Sequence, residues 1–211
     1  MSVADFDLYL VTDRHQTQGR DLLSVLEQAL DGGVNAIQLR EKDLDSRHLF
    51  LLAESVRKLT NKYGARLFIN DRIDIALAVE ADGVQLGNAS VPITAVRSIL
   101  KPPQLLGVSV HTLNEAQEAE RQGADFIVFG PVYFTPSKAR YGAPQGLTPL
   151  QELLGKVSLP VYAIGGINLA NLEPIKRVGA RGIALISAII SSNEPSRATR
   201  EILEIWRTCK K

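Results

Sequence analysis

Eight short apolar runs punctuate this chain, and their spacing restricts what it can fold into. They are LYLVT (8–12), AIQLR (36–40), RLFIN (66–70), GVQLG (83–87), LLGVSV (105–110), FIVFG (126–130), PVYAIG (160–165) and GIALIS (182–187). Each is mostly apolar and lacks strict in/out alternation, as strands buried on both faces of a parallel sheet do. Between them lie stretches of helical period. Residues 20–31 place Leu22, Leu23, Leu26 and Leu30 on one stripe, and residues 45–62 do the same with Leu49, Leu52, Ala53, Val56 and Leu59. Residues 112–122, 168–178 and 195–207 carry similar stripes, and 71–80 a shorter one. The segments GGVNAIQLR, EADGVQLG, QGADFIVFG and VGARGIALIS each join a helix end, a small residue and a buried strand. Gly33, Gly123 and Gly179 fall where a helix C-terminus favours a left-handed residue. This weak internal repeat, with no linker in 211 residues, predicts one α/β domain over 1–211, a single (β/α)8 TIM barrel. An open doubly wound sheet ranks second, because no G-x-G-x-x-G follows the first strand.

Composition removes several function classes. Lys+Arg 24 against Asp+Glu 23 leaves a formal charge of +1, so no global excess calls for nucleic acid or an anionic membrane. The single cysteine, Cys209, excludes an internal disulfide and a Cys-based zinc site. No window approaches ~18 uninterrupted apolar residues, and the start MSVADFDLYLVTDR has no basic n-region, so the chain reads as cytosolic and unprocessed. No H-x-x-x-H, Cys/His cluster or Ser/His/Asp order is present, and His15 and His48 read as surface or loop residues.

In an α/β barrel the active site lies at the C-terminal ends of the strands. Polar groups collect there in this sequence. Gln38, Arg40 and Lys42 would share one face, and the two cations could converge on an anion, Arg as a fork and Lys as a point charge. The bland alternative is a solvated loop in which Glu41 pairs with a neighbour. Asn70 and Asp71 follow the third strand directly, and Asp71 is a candidate Mg²⁺ ligand, since that ion takes one or two carboxylates plus substrate phosphate oxygens. Either residue could instead cap the next helix. Ser109 and His111 end the fifth strand; His111 suits general acid/base work, or a helix cap. Gly165 and Gly166, with the backbone after Ile186-Ser187, could cradle a phosphate, a recurring feature after strands seven and eight, or form a plain turn. Thr135, Ser137 and Lys138 lie in a long loop, 131–146, where hydroxyls beside a lysine suit phosphate oxygens and Gly142 and Gly146 could hinge.

Taken in order, YLVTD (9–13), QLREKD (38–43), IND (69–71), DIALAVEADGVQLG (74–87), LGVSVHTLNEAQEAERQGADFIVFGPVYFTPSK (106–138) and AIGGIN (163–168) resemble the thiamine phosphate synthase family, which also holds thiazole tautomerases. The resemblance implies a small α/β barrel. It further implies a transferase that joins a hydroxymethylpyrimidine diphosphate to a thiazole phosphate in thiamine biosynthesis, with pyrophosphate leaving by a dissociative step. Carried over, Arg40, Lys42, Asn70 and Lys138 would hold pyrophosphate with Gln38 nearby, and Asp71 would bind Mg²⁺. Ser109 and His111 would sit near the pyrimidine, and Thr135, Ser137, Gly165, Gly166, Ile186 and Ser187 would face the thiazole phosphate. The expected partners are these small molecules, with neither nucleic acid nor membrane; small barrels often self-associate, so a homo-oligomer fits, yet no patch identifies an interface.

The chain departs from the family pattern twice. Gln85 stands where the synthases usually have His, and Ser90 where they have a second metal-binding Asp. The tautomerase branch also lacks that Asp, often carries a Gln-type residue in this run, and has a key His that matches His111. Asp71, Gln38, Lys42 and the T-x-S-K run keep the diphosphate apparatus, so the synthase is the leading expectation. The tautomerase, acting on a carboxylated thiazole phosphate, is the alternative, with a ligand-binding relative without turnover third.

Overall fold

The structure, a computed structural model, describes residues 4–135 and 143–209. Strands β1 (Leu8–Val11), β2 (Ala36–Leu39), β3 (Arg66–Asn70), β4 (Gly83–Leu86), β5 (Leu105–Val110), β6 (Phe126–Phe129), β7 (Val161–Ile164) and β8 (Gly182–Leu185) are all parallel. Each pairs with its neighbours in sequence, and β8 closes onto β1, so the barrel is complete. Among the described residues the helices are α1 (Leu22–Asp31), α2 (Ser46–Tyr63), α3 (Ile73–Ala78), α4 (Ile93–Ile99), α5 (Leu113–Arg121), α6 (Leu147–Leu154), α7 (Leu172–Arg177), α8 (Ser187–Ile190) and α9 (Pro195–Thr208). None of them is long and apolar enough to cross a membrane.

Two cores hold this together. The larger lies between the strands and the helical ring, and includes Leu26, Ile37, Val56, Leu106, Leu150 and Trp206. The smaller fills the barrel and is aromatic. Tyr9, Phe68, Phe126 and Tyr162 face the axis, and Phe6 closes the floor, its ring stacked on Tyr162 at 4.4 Å between centroids. Each wall ring lies in register with a small residue on a neighbouring strand: Tyr9 with Ala36, Phe68 with Gly83, Phe126 with Gly107, and Tyr162 with Gly182. A Cβ on Gly83 would sit 2.8 Å from the Phe68 ring and 2.1 Å from the Leu105 carbonyl oxygen; one on Gly182 would lie 2.5 Å from the Tyr162 ring. Large rings pack a narrow barrel here because glycine vacates the facing wall.

The repeat in the sequence is a repeated helix ending. After α1, α2, α3, α5 and α7 a left-handed residue (Gly33, Gly64, Glu80, Gly123, Gly179) turns the chain. The next residue's N–H then bonds back into the helix: Val34 to Ala29, Ala65 to Thr60, Ala81 to Ala76, Ala124 to Ala119 and Ala180 to Ile175. That satisfies carbonyls the helix leaves open and aims the chain into the following strand.

The amino-terminal rim carries four charge pairs. Arg57 pairs with Asp82, Arg97 with Asp125, Arg66 with Asp5, and Arg181 with Asp7. Asp82 and Asp125 also accept the backbone N–H of Leu67 and Leu106, at 2.8 and 2.7 Å. These pairs stitch the strand starts together.

Candidate active site at the carboxyl rim

Strand side chains alternate in and out. Because Tyr9, Ala36, Phe68, Leu105, Phe126, Tyr162 and Ala184 face the axis, so do positions two, four and six residues further along the chain. Gln38 and Arg40 on β2, Asn70 on β3, Ser109 and His111 on β5, Gly166 after β7 and Ile186 after β8 all fall on that inner parity. The barrel thus brings these expected site residues to one mouth. Gln38 is buried on β2; Arg40 is half-buried just beyond it; Lys42 is exposed on the following loop. Thr135 is half-buried at the end of the described β6 loop. Ser137 and Lys138, like Gly142, lie outside the described residues.

The β2 loop does not leave Arg40 and Lys42 neutralised. Glu41, 3% exposed, turns away and accepts the Arg14 backbone N–H at 3.1 and 3.2 Å and its Nη1 at 3.4 Å. Arg14 also pairs with Asp43, and His15 Nε2 lies 2.9 Å from the same carboxylate. The Arg14 guanidinium, with His15, holds the Asp43 carboxyl well below its usual range, and Asp43 in turn pushes Arg14 up. Glu41 does pair with a neighbour, as the plain reading had it, and the effect is to clear both acids away from the two cations. Among the described residues no ion pair engages Arg40 or Lys42. Thr12 Oγ1 accepts the Arg40 N–H at 2.9 Å and fixes where the loop leaves β2.

Asp71 does not cap the next helix. The residue before α3 is Arg72, without a side-chain cap. Asp71 instead takes a left-handed backbone, φ 62°, which a non-glycine residue holds at a cost of about 1 kcal/mol and which clusters at functional sites. Its N–H extends the β3–β4 ladder to the Gln85 carbonyl at 3.0 Å. Its carboxylate accepts from the Ser90 hydroxyl and from Asn70 Nδ2, the latter at 2.7 Å. Ser90 Oγ in turn accepts the Gly87 N–H at 2.7 Å, so two side chains, one of them itself anchored, hold the carboxylate at the rim.

His111 is not the cap either; Thr112 is, accepting the Glu115 N–H at 3.2 Å. Glu115 receives the His111 N–H at 2.6 Å, and the ring Nδ1 donates to the Gly130 carbonyl. That bond selects the tautomer in which Nε2 carries the lone pair. Gly165 (φ 100°) and Gly166 (φ 65°) are both left-handed. The β6 loop lies directly on them: Val132 and Tyr133 donate to the carbonyls of Ile164 and Gly165 at 2.9 and 3.0 Å. A Cβ on Gly166 would stand 2.4 Å from the Phe134 carbonyl oxygen. The glycines therefore let the β6 loop lie against the end of β7, which a simple turn does not require. Beside them, α8 starts at Ser187 with its first N–H groups free of intrahelical partners.

Sequence reasoning missed the polar layer beneath the mouth. Tyr9 and Gln85 are both buried, the Tyr9 hydroxyl makes a long 3.5 Å contact to Gln85 Oε1, and Gln85 Nε2 donates to Ser109 Oγ at 3.1 Å. Gln38, buried on β2, faces the same inner layer. A polar residue at an inward position of an otherwise apolar strand was the available signal.

At its carboxyl mouth the closed barrel gathers two cations with no ion pair among the described residues, an anchored carboxylate and paired glycines, and this is the architecture of an α/β-barrel protein. Comparison with known proteins narrows the class. The family model described as "Thiamine monophosphate synthase" matches residues 8–189, and the chain belongs to that family. A relative from Geobacter sulfurreducens is 53% identical over 205 residues, covering 97% of this chain and 96% of its own. A thiamine-phosphate synthase from Desulfitobacterium hafniense is 44% identical, over 96% and 98% of the two chains. Among solved structures, a thiamine phosphate pyrophosphorylase from Pyrococcus furiosus superposes with a TM-score of 0.89 at 39% identity, covering 98% of each chain.

Proposed function

We propose that the chain joins a hydroxymethylpyrimidine diphosphate to a thiazole phosphate, releasing pyrophosphate and forming thiamine phosphate. The observation that carries this is the clearing of Glu41 and Asp43 onto Arg14, which leaves Arg40 and Lys42 without an ion pair among the described residues, past the end of the strand next to the one that Asp71 follows. In the reaction the C–O bond to diphosphate breaks, the electron pair leaves with pyrophosphate, and the thiazole nitrogen captures the pyrimidine carbocation as the C–N bond forms. The protein's share is to hold both partners in line and to stabilise the departing charge. Arg40 and Lys42 do so at the β2 loop with Asn70 and, from the sequence, Lys138. The backbone of Gly165, Gly166 and Ser187, with Thr135 and Ser137, receives the thiazole phosphate and keeps the second ring in place.

The donor set is a minimal one for magnesium, a single carboxylate, with no cluster of three or more His, Cys, Asp or Glu among the described residues to add to it. Asp71 offers one carboxylate, Ser90 a neutral hydroxyl beside it, and Mg²⁺ takes one or two carboxylates plus phosphate oxygens. Bound there, magnesium would supply neutralisation of charge on the diphosphate. Asp71 would hold it, with Asn70 and Ser90 keeping the carboxylate oriented.

A second reading has one observation of its own. The free Nε2 of His111 could move a proton on a carboxylated thiazole phosphate, the chemistry of a tautomerase. One experiment separates the two. Purified protein is given both transferase substrates with millimolar Mg²⁺, and thiamine phosphate is followed after oxidation to its fluorescent product. Product with matching pyrophosphate release supports the transferase. No product, with brisk isomerisation of the carboxylated thiazole, overturns it.

A further inference from the structure

The barrel interior holds a row of polar groups that the proposed reaction does not by itself use. It starts at the Tyr9 hydroxyl on β1, passes through the Gln85 amide on β4, and ends at Ser109 on β5, at the mouth. Burial keeps the Tyr9 phenol protonated far above its ordinary range, so it has a proton to give and needs an acceptor. That fixes the Gln85 amide with its oxygen toward Tyr9 and its Nε2 toward Ser109. The amide has little freedom to turn. It lies against the face of Gly107, where a Cβ would come 2.3 Å from Gln85 Oε1 and 2.3 Å from the Phe126 ring. Gly107 therefore makes room both for the ring below and for the amide above.

We propose that Gln85 is a positioning residue: by donating to Ser109 Oγ it occupies a lone pair on that oxygen and leaves the hydroxyl proton directed outward, to an acceptor nitrogen or oxygen on the bound pyrimidine diphosphate. The proposal rests on the transferase reading above. Ser109 touches the ligand; Gln85 acts only through it. A hydroxyl held this way has lost its freedom to rotate before the ligand arrives, so its hydrogen bond forms without reorganisation.

The test is a double-mutant cycle on thiamine phosphate formation, with kcat and KM measured for wild type, Gln85→Met, Ser109→Ala and the double variant. Gln85→Met should lower kcat on the order of tenfold, the scale of one lost hydrogen bond. In the Ser109→Ala background the same change should have no further effect. Gln85→His, which keeps an N–H donor, should recover most of the loss. Gln85→Glu, close in shape but acceptor only, should draw the Ser109 proton inward and lose activity as Gln85→Met does; it replaces that variant in the cycle if Gln85→Met unfolds. Equal losses in both backgrounds, or no loss on removing the donor, overturn the proposal. A wild type that makes no thiamine phosphate overturns the transferase reading, and this proposal with it; an active wild type with additive variants overturns this proposal alone.

Discussion

Ser90→Asp restores the acid that the synthases usually carry, and its cost can be worked out from the rim. Ser90 Oγ now donates to Asp71 Oδ1 while accepting the Gly87 N–H at 2.7 Å. A carboxylate in its place removes the donor and sets two negative charges in near contact. Like charges about 4 Å apart repel by ~4 kcal/mol at an effective dielectric near 20 and by ~1 kcal/mol in bulk water. Both residues are half-buried, so about 2 kcal/mol is the working figure. At roughly 2–4 °C per kcal/mol for a chain of this size, thermal unfolding in EDTA at pH 7 should come about 4–8 °C earlier. Magnesium should reverse much of this. An ion at ten times its Kd returns about 1.4 kcal/mol, and the two-carboxylate site should reach that level at lower Mg²⁺ than the wild type. The assay is unfolding followed by circular dichroism across a Mg²⁺ titration. A variant with the wild-type midpoint in EDTA and the wild-type response to Mg²⁺ would place position 90 outside the metal's reach and refute the reasoning.

Three further outcomes follow from the same contacts. Arg40→Ala should raise KM for the diphosphate substrate at least tenfold yet shift stability by no more than about 0.5 kcal/mol, because the side chain has no ion-pair partner among the described residues; steady-state kinetics and a thermal melt check both halves. Gly83→Ala should destabilise the barrel by about 3 kcal/mol or prevent folding, since its Cβ would meet the Leu105 carbonyl oxygen at 2.1 Å, and a urea melt reads the loss. Burial raises the phenol pKa of both Tyr9 and Tyr162. A group raised in the folded state stabilises fully below its unfolded pKa, ~10 for tyrosine, and loses that contribution as pH climbs toward the folded value. Stability should therefore fall above about pH 10, and tyrosinate absorbance should stay incomplete until the chain unfolds.

The fold was legible because its strands are buried on both sides: each apolar run begins within a residue of its strand, and the terminal residues of most runs, such as Thr12 and Arg40, stand just past the strand at the mouth. α4 and α6 were not legible. Pro92 precedes the one and Pro149 stands in the first turn of the other, where a missing N–H costs nothing but the sequence reads as loop. The candidate residues at strand ends could be named from the barrel rule alone. Their partners could not. Tyr9 and Gln85 are 76 residues apart and meet only across the closed barrel. The left-handed turn at Asp71, and the removal of Glu41 onto Arg14, depend on neighbours that no local pattern encodes.

A crystal structure with thiamine phosphate, pyrophosphate and Mg²⁺ bound tests the assignment of the mouth most directly. Pyrophosphate should lie against Arg40, Lys42 and Lys138 with the ion on Asp71, and the ester phosphate should rest on the backbone of Gly165, Gly166 and Ser187. Ligand density elsewhere, with Arg40 and Asp71 untouched, would contradict the account.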